Sequence, residues 1–124
     1  MSKELAPRSF ESGTLAIRVD AQFGKLKLTW AGQSVARDPS TVLKPFFESL
    51  GRYGSKTRDL EIDFRGLEYM NSSTLKPILS FVQAASTEFR SVCVRYDSQK
   101  SWQRLSFKLL QALAGSWQNV KIEG

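Results

Sequence analysis

Residues 60–82, LEIDFRGLEYMNSSTLKPILSFV, change their hydrophobic period halfway through, and few folds accommodate the change. Leu60, Ile62 and Phe64 alternate with charged residues, the period of a strand with one covered face. Leu75, Ile78, Leu79 and Val82, extended by Phe81 and Ala85, fall at the spacing that lines one side of a helix. Asn71, Ser72, Ser73 and Thr74 lie between them, and such residues cap helix starts. Pro77 fits only in the first turn, which makes Thr74 or Ser73 the cap. The polar cluster therefore belongs on a loop at the carboxyl end of a strand, the edge of an α/β sheet where ligands and modifications are met.

The flanking sequence extends this unit in both directions. Residues 14–20, with Leu15, Ile17 and Val19, and residues 25–30, with Leu26, Leu28 and Trp30, read as two strands. Their connection is of hairpin length, with Gly24 available for a positive φ. Residues 32–39 read as a loop, and Asp38-Pro39-Ser40-Thr41 as a helix start. Val42, Leu43, Phe46, Phe47 and Leu50 mark that helix, which ends near Gly51 or Gly54; Pro45 is comfortable in it only if regular structure begins near Thr41. Val92, Val94 and Tyr96 form a further strand with Cys93 on its other side. A third helix follows, with Asp97-Ser98 as cap and Trp102, Leu105, Phe107, Leu109, Leu110 and Leu113 as apolar members, and Val120 and Ile122 give a last strand. The order ββαβαβαβ predicts an α/β (α+β) fold, a mixed sheet of about five strands with three helices. Residues 1–12 lack a period and read as a loose lead-in to a single domain over 13–124.

The run from the hydrophobic strand through Asp63, Gly66-Leu67, Tyr69-Met70 and Asn71-Ser72-Ser73 to an apolar helix resembles the signature of the STAS domain, the anti-sigma-factor antagonist module of bacteria that also occurs on sulfate transporters. The element order is similar over nearly the whole chain. In that family the loop usually reads Asp-Ser-Ser-Gly, and its second serine is phosphorylated by a partner kinase that is also the anti-sigma factor. Matched onto this chain, that serine is Ser73, with Ser72 and Thr74 as secondary candidates. Asn71 stands in place of the family's Asp and Thr74 in place of its Gly. The resemblance implies a partner-switching protein of signal transduction and transcription regulation. Its partners would be a serine kinase of the anti-sigma type, which uses ATP, and a PP2C-type phosphatase that resets the serine. The partner-binding surface would comprise Tyr69, Met70, Asn71, Ser72, Ser73, Thr74 and Lys76, with Arg65 and Lys76 as nearby cations and Glu68 as a substitute carboxylate.

Composition narrows the alternatives. With no histidine and a single cysteine the chain lacks the commonest general base and any thiolate cluster for zinc, and its aspartates are scattered. That argues against an enzyme, a metal site or a cofactor. Cys93 makes no internal disulfide, no signal segment follows Met1, and apolar runs are short, which together predict a cytoplasmic protein that does not enter membranes. The net charge of +6 permits nucleic-acid contact, but the basic residues are dispersed and no reader motif is present, so an acidic protein partner explains the charge as well. Two other readings use the same residues: a degenerate STAS scaffold or subunit without phosphorylation, and a nucleotide- or anion-binding module at the helix start. For the serines themselves the plain alternative is a cap, worth on the order of 1 kcal/mol.

Overall fold

The computed structural model describes residues 7–124. Its elements in chain order are β1 (Phe10–Ser12), β2 (Leu15–Gln22), β3 (Lys25–Ser34), α1 (Pro39–Arg52), β4 (Asp59–Asp63), β5 (Leu67–Met70), a 3-10 turn (Ser72–Thr74), α2 (Leu75–Glu88), β6 (Ser91–Arg95), α3 (Ser101–Leu113) and β7 (Val120–Glu123). The sheet runs β1-β2-β3-β4-β6-β7, with β5 added to β3 beyond the end of β4. β1, β2 and β3 pair antiparallel, whereas β3, β4, β6 and β7 are parallel. Those four follow one another across the sheet in one direction, so crossovers of one hand leave all three helices on the same face.

Side-chain alternation fits that arrangement. Leu26, Leu28 and Trp30 of β3, Leu60 and Ile62 of β4, and Val92 and Val94 of β6 point to the helices and are buried. Trp30 packs on Phe64, whose ring lies 4.7 Å from Phe107 of α3, and Phe47 of α1 stacks on Phe81 of α2 at 4.4 Å. The reverse face carries charge. Glu61, buried beneath longer side chains, is shared by Lys25, Lys27 and Arg95, and Arg95 also reaches Glu123. Burial pushes the Glu61 carboxyl up, and the three cations outweigh it and hold the group below its ordinary value.

The hairpin at Gly24 forms as the sequence indicates, with φ at 73°. Other boundaries move. Phe10–Ser12, read as part of a loose lead-in, adds an edge strand to β2; residues 1–6 of that lead-in lie outside the described residues. β3 continues into the segment expected as a loop and ends at Ser34, and the described residues form seven strands against about five expected. α1 begins at Pro39, with the Asp38 carboxylate accepting from the Thr41 N–H, so Pro45 stands inside the helix; it lies on the exposed side, where water can serve the carbonyl its ring cannot. α3 begins at Ser101 after Lys100, and Asp97 accepts from the Gln99 N–H instead of capping the helix. Cys93 faces the charged side, where burial pushes its thiol up.

At the amino end of β4, Asp59 receives both Arg90 Nε and Nη2 at 2.9 and 2.8 Å, and the Ser91 hydroxyl at 2.7 Å. The hydrogen bonds from Arg90 and then Ser91 bring its pKa down from 3.8 to about 2. The folded pKa lies below the unfolded one, so this contribution is complete above pH 3.8 and is lost as pH falls towards 2. Acid titration followed by circular dichroism should show a decline in stability over that window, and Asp59→Asn should flatten it.

Candidate functional site

The loop between β5 and α2 is built on the far end of β3. Ser34, the last residue of that strand, accepts the Asn71 N–H on its carbonyl at 2.9 Å, and its hydroxyl lies 2.8 Å from the Thr74 hydroxyl. Thr74 gives its one proton to Asn71 Oδ1 at 2.7 Å, so Ser34 is the donor to Thr74. Asn71 completes the clamp by donating Nδ2 to the Ala36 carbonyl at 2.9 Å. The two positions that depart from the STAS pattern, Asn71 and Thr74, are thus bonded to each other. The Thr74 hydroxyl needs an acceptor because the residue is fully buried, and Asn71 supplies it together with a donor that an aspartate lacks.

This geometry sorts the residues expected there. Ser72, Ser73 and Lys76 are exposed, and the Ser73 hydroxyl donates to Asn71 Oδ1 at 3.1 Å. Neither Ser73 nor Thr74 caps α2 through its side chain; a 3-10 turn leads into the helix instead, and Thr74 points inward. Thr74 is consequently no surface residue and offers no hydroxyl to a kinase or partner. Met70 is buried as well, because β5 pairs with β3 and turns that side chain into the core, whereas Tyr69 stays half-exposed beside Trp102. Arg65 is engaged: its guanidinium grips Asp63 with two hydrogen bonds of 3.0 and 2.9 Å. Glu68 is exposed on β5 and makes no bond to the loop. Lys76 makes no ion pair among the described residues. It sits with Ser40 and Lys44 on the rim of a trough of about 720 Å³ between α1 and α2, over the Phe47 and Phe81 rings.

Two residues that hold the site gave little sequence signal. Ser34 sits on the extension of β3 beyond Gly32, where the sequence predicts a loop. Gln103 is buried and donates Nε2 to the carbonyls of Phe64 and Leu67 at 2.7 and 2.9 Å while accepting the Asp97 N–H, which ties α3 to the turn before β5. Its spacing with Phe107, Leu110 and Ala114 on one helical stripe is the signal that marks it as a core-facing polar group. No group of histidine, cysteine or carboxylate side chains among the described residues can hold a metal ion.

Replacing Thr74 with valine keeps the shape and removes both hydroxyl bonds, leaving the buried Ser34 hydroxyl without a partner. The expected loss is about 1–3 kcal/mol, read as a lower denaturation midpoint in urea with unchanged slope.

A parallel core extended by an antiparallel hairpin, helices on one face, and a serine loop at the amino end of the second helix together define a STAS-like fold. Solved structures agree. An anti-sigma factor antagonist from Mycobacterium paratuberculosis superposes with a TM-score of 0.62 over 86% of this chain and 85% of its own, at 14% identity. A chain from the complex of the diguanylate cyclase SiaD with its activator SiaC from Pseudomonas aeruginosa gives 0.64 over 93% and 97%, at 20% identity. An uncharacterized protein from Shewanella loihica with a SpoIIAA-like fold gives 0.54 over 98% and 89%, at 16% identity. No protein-family model matches the sequence, and no curated protein does. Among the described residues no helix is long and apolar enough to cross a membrane.

Proposed function

We propose that this protein is a non-catalytic regulatory module of the cytoplasm that binds a serine kinase of the anti-sigma-factor type and is released when that kinase phosphorylates Ser73, a PP2C-type phosphatase restoring the binding form. The observation that carries this reading is the Ser73 hydroxyl, exposed beside the amino end of α2. The likeness to an anti-sigma factor antagonist, and to a complex that contains a cyclase activator, supports a partner-binding role.

Phosphorylation transfers the terminal phosphoryl group of ATP to Ser73 Oγ, with the hydroxyl proton leaving and ADP as the other product. The product carries about 1.5 to 2 negative charges at neutral pH. The amino end of α2 and the ammonium of Lys76 tolerate such an anion, so the fold survives while the docking surface changes sign. Incubation with the cognate kinase and ATP should add one phosphate by mass spectrometry, absent in Ser73→Ala. Modification at another residue, or none, would contradict the assignment.

A second reading is favoured by Asn71, whose side-chain carbonyl receives Ser73 and Thr74 and whose amide holds Ala36. So saturated, the loop could serve as a constitutive docking face in a STAS scaffold. Equal partner affinity before and after kinase treatment would select that reading.

A further inference from the structure

Three of the six large apolar side chains exposed among the described residues lie on α3. Leu105, Leu109 and Leu113 are 70%, 53% and 52% exposed. The periodicity that marks these leucines as core members is real, but α3 carries two apolar stripes. Phe107 and Leu110 face the sheet; Leu105, Leu109 and Leu113 face away from it. We propose that this outward stripe is a docking seam for an acidic amphipathic helix of a partner protein, a surface separate from the Ser73 loop and independent of its phosphorylation.

Shape argues for a helix. Residues spaced i, i+4, i+8 form a single ridge about 12 Å long, which seats in the groove of another helix. A lipid surface takes up a broad apolar face with aromatic and aliphatic residues spread across it, and this seam is one residue wide. Charge argues for an acidic partner and against a second copy. The exposed ionic residues of α3 are Arg104 and Lys108, and the helix has no carboxylate. Two copies of α3 laid together would bring four cations into one apolar contact with no opposite charge from either helix. Carboxylates flanking the partner's apolar stripe would meet those cations and suppress wrong partners.

The test uses the full chain and a labelled synthetic helix with leucines at i, i+4 and i+8 flanked by glutamates, beside a twin in which lysines replace the glutamates. Fluorescence anisotropy should show binding of the acidic peptide only, weakened about tenfold or more by Leu109→Asp. Arg104→Glu combined with Lys108→Glu should reverse the preference between the twins, and because these side chains are exposed it keeps the test open if the aspartate variant misfolds. Absence of acidic-peptide binding, equal binding of both twins, or indifference to both variants overturns the proposal. Sedimentation and flotation decide against it in two further ways: self-association relieved by Leu109→Asp assigns the stripe to a second copy. Binding to phosphatidylcholine and phosphatidylglycerol vesicles relieved by the same change assigns it to a membrane.

Discussion

Gly32→Ala should destabilise the protein by about 4 kcal/mol or more, a large part of the stability of a domain this size. Gly32 has a φ of 83°, where an alanine is strained by about 1–2 kcal/mol. The larger cost is steric. An added Cβ would stand 1.8 Å from the Thr14 carbonyl oxygen, a backbone atom of the turn just before β2, so the backbones of β2 and β3 must separate there. Gly32 is also where β3 changes partner, from β2 and β4 to β5, with a register shift between Gly32 and Gln33. Moving it displaces Ser34 and, through Ser34, Asn71 and Thr74. Gly13→Ala is the internal control: its φ of 60° is comparable, but nothing lies within 4 Å of the added atom, so about 1 kcal/mol is expected. Thermal and urea unfolding of both variants measures the difference, and similar losses would disprove the steric account.

That pivot shows why part of the fold was legible and part was not. The parallel strands were readable because each alternates over a face that three helices cover, and the helices because their stripes are long. β1 spans three residues, too few for a period, and β5 has buried Leu67 and Met70 separated by two exposed residues, because Glu68 is an extra residue with no partner where Gly32 and Gln33 pair with Leu67 and Tyr69, an interruption that only the register against β3 reveals. The residue types of the loop mark its position, yet their roles follow from Ser34, forty positions upstream of Thr74. Read alone, NSST is a cap. Against β3 it is a clamp, with Asn71 and Thr74 as its two halves and Ser73 left at the surface. α3 shows the opposite limit: periodicity identifies an apolar residue without saying which side of the helix meets the sheet.

Ser73→Asp should lower affinity for the proposed kinase-type partner by roughly a hundredfold, on the order of 3 kcal/mol, while Ser73→Ala binds as the unmodified protein does. The direction follows from what a docked partner must do to the loop. An uncharged serine in contact with a partner is covered at the cost of one hydroxyl's solvation, whereas a carboxylate or phosphate must be stripped of water or meet an opposite charge. Arg65 brings no relief, because it is already bound bidentately to Asp63 and leaving it would strand a buried carboxylate. Lys76, exposed and without an ion pair among the described residues, can neutralise part of the new charge. Lys76→Ala should therefore deepen the effect of Ser73→Asp, and the two changes should not be additive. Calorimetric titration of the partner with the four proteins of this cycle tests the electrostatic account separately from the fold, since thermal unfolding of Ser73→Asp should match that of the parent within about 0.5 kcal/mol. Partner affinity unchanged in Ser73→Asp would remove the switch and leave the clamped loop as a permanent docking face.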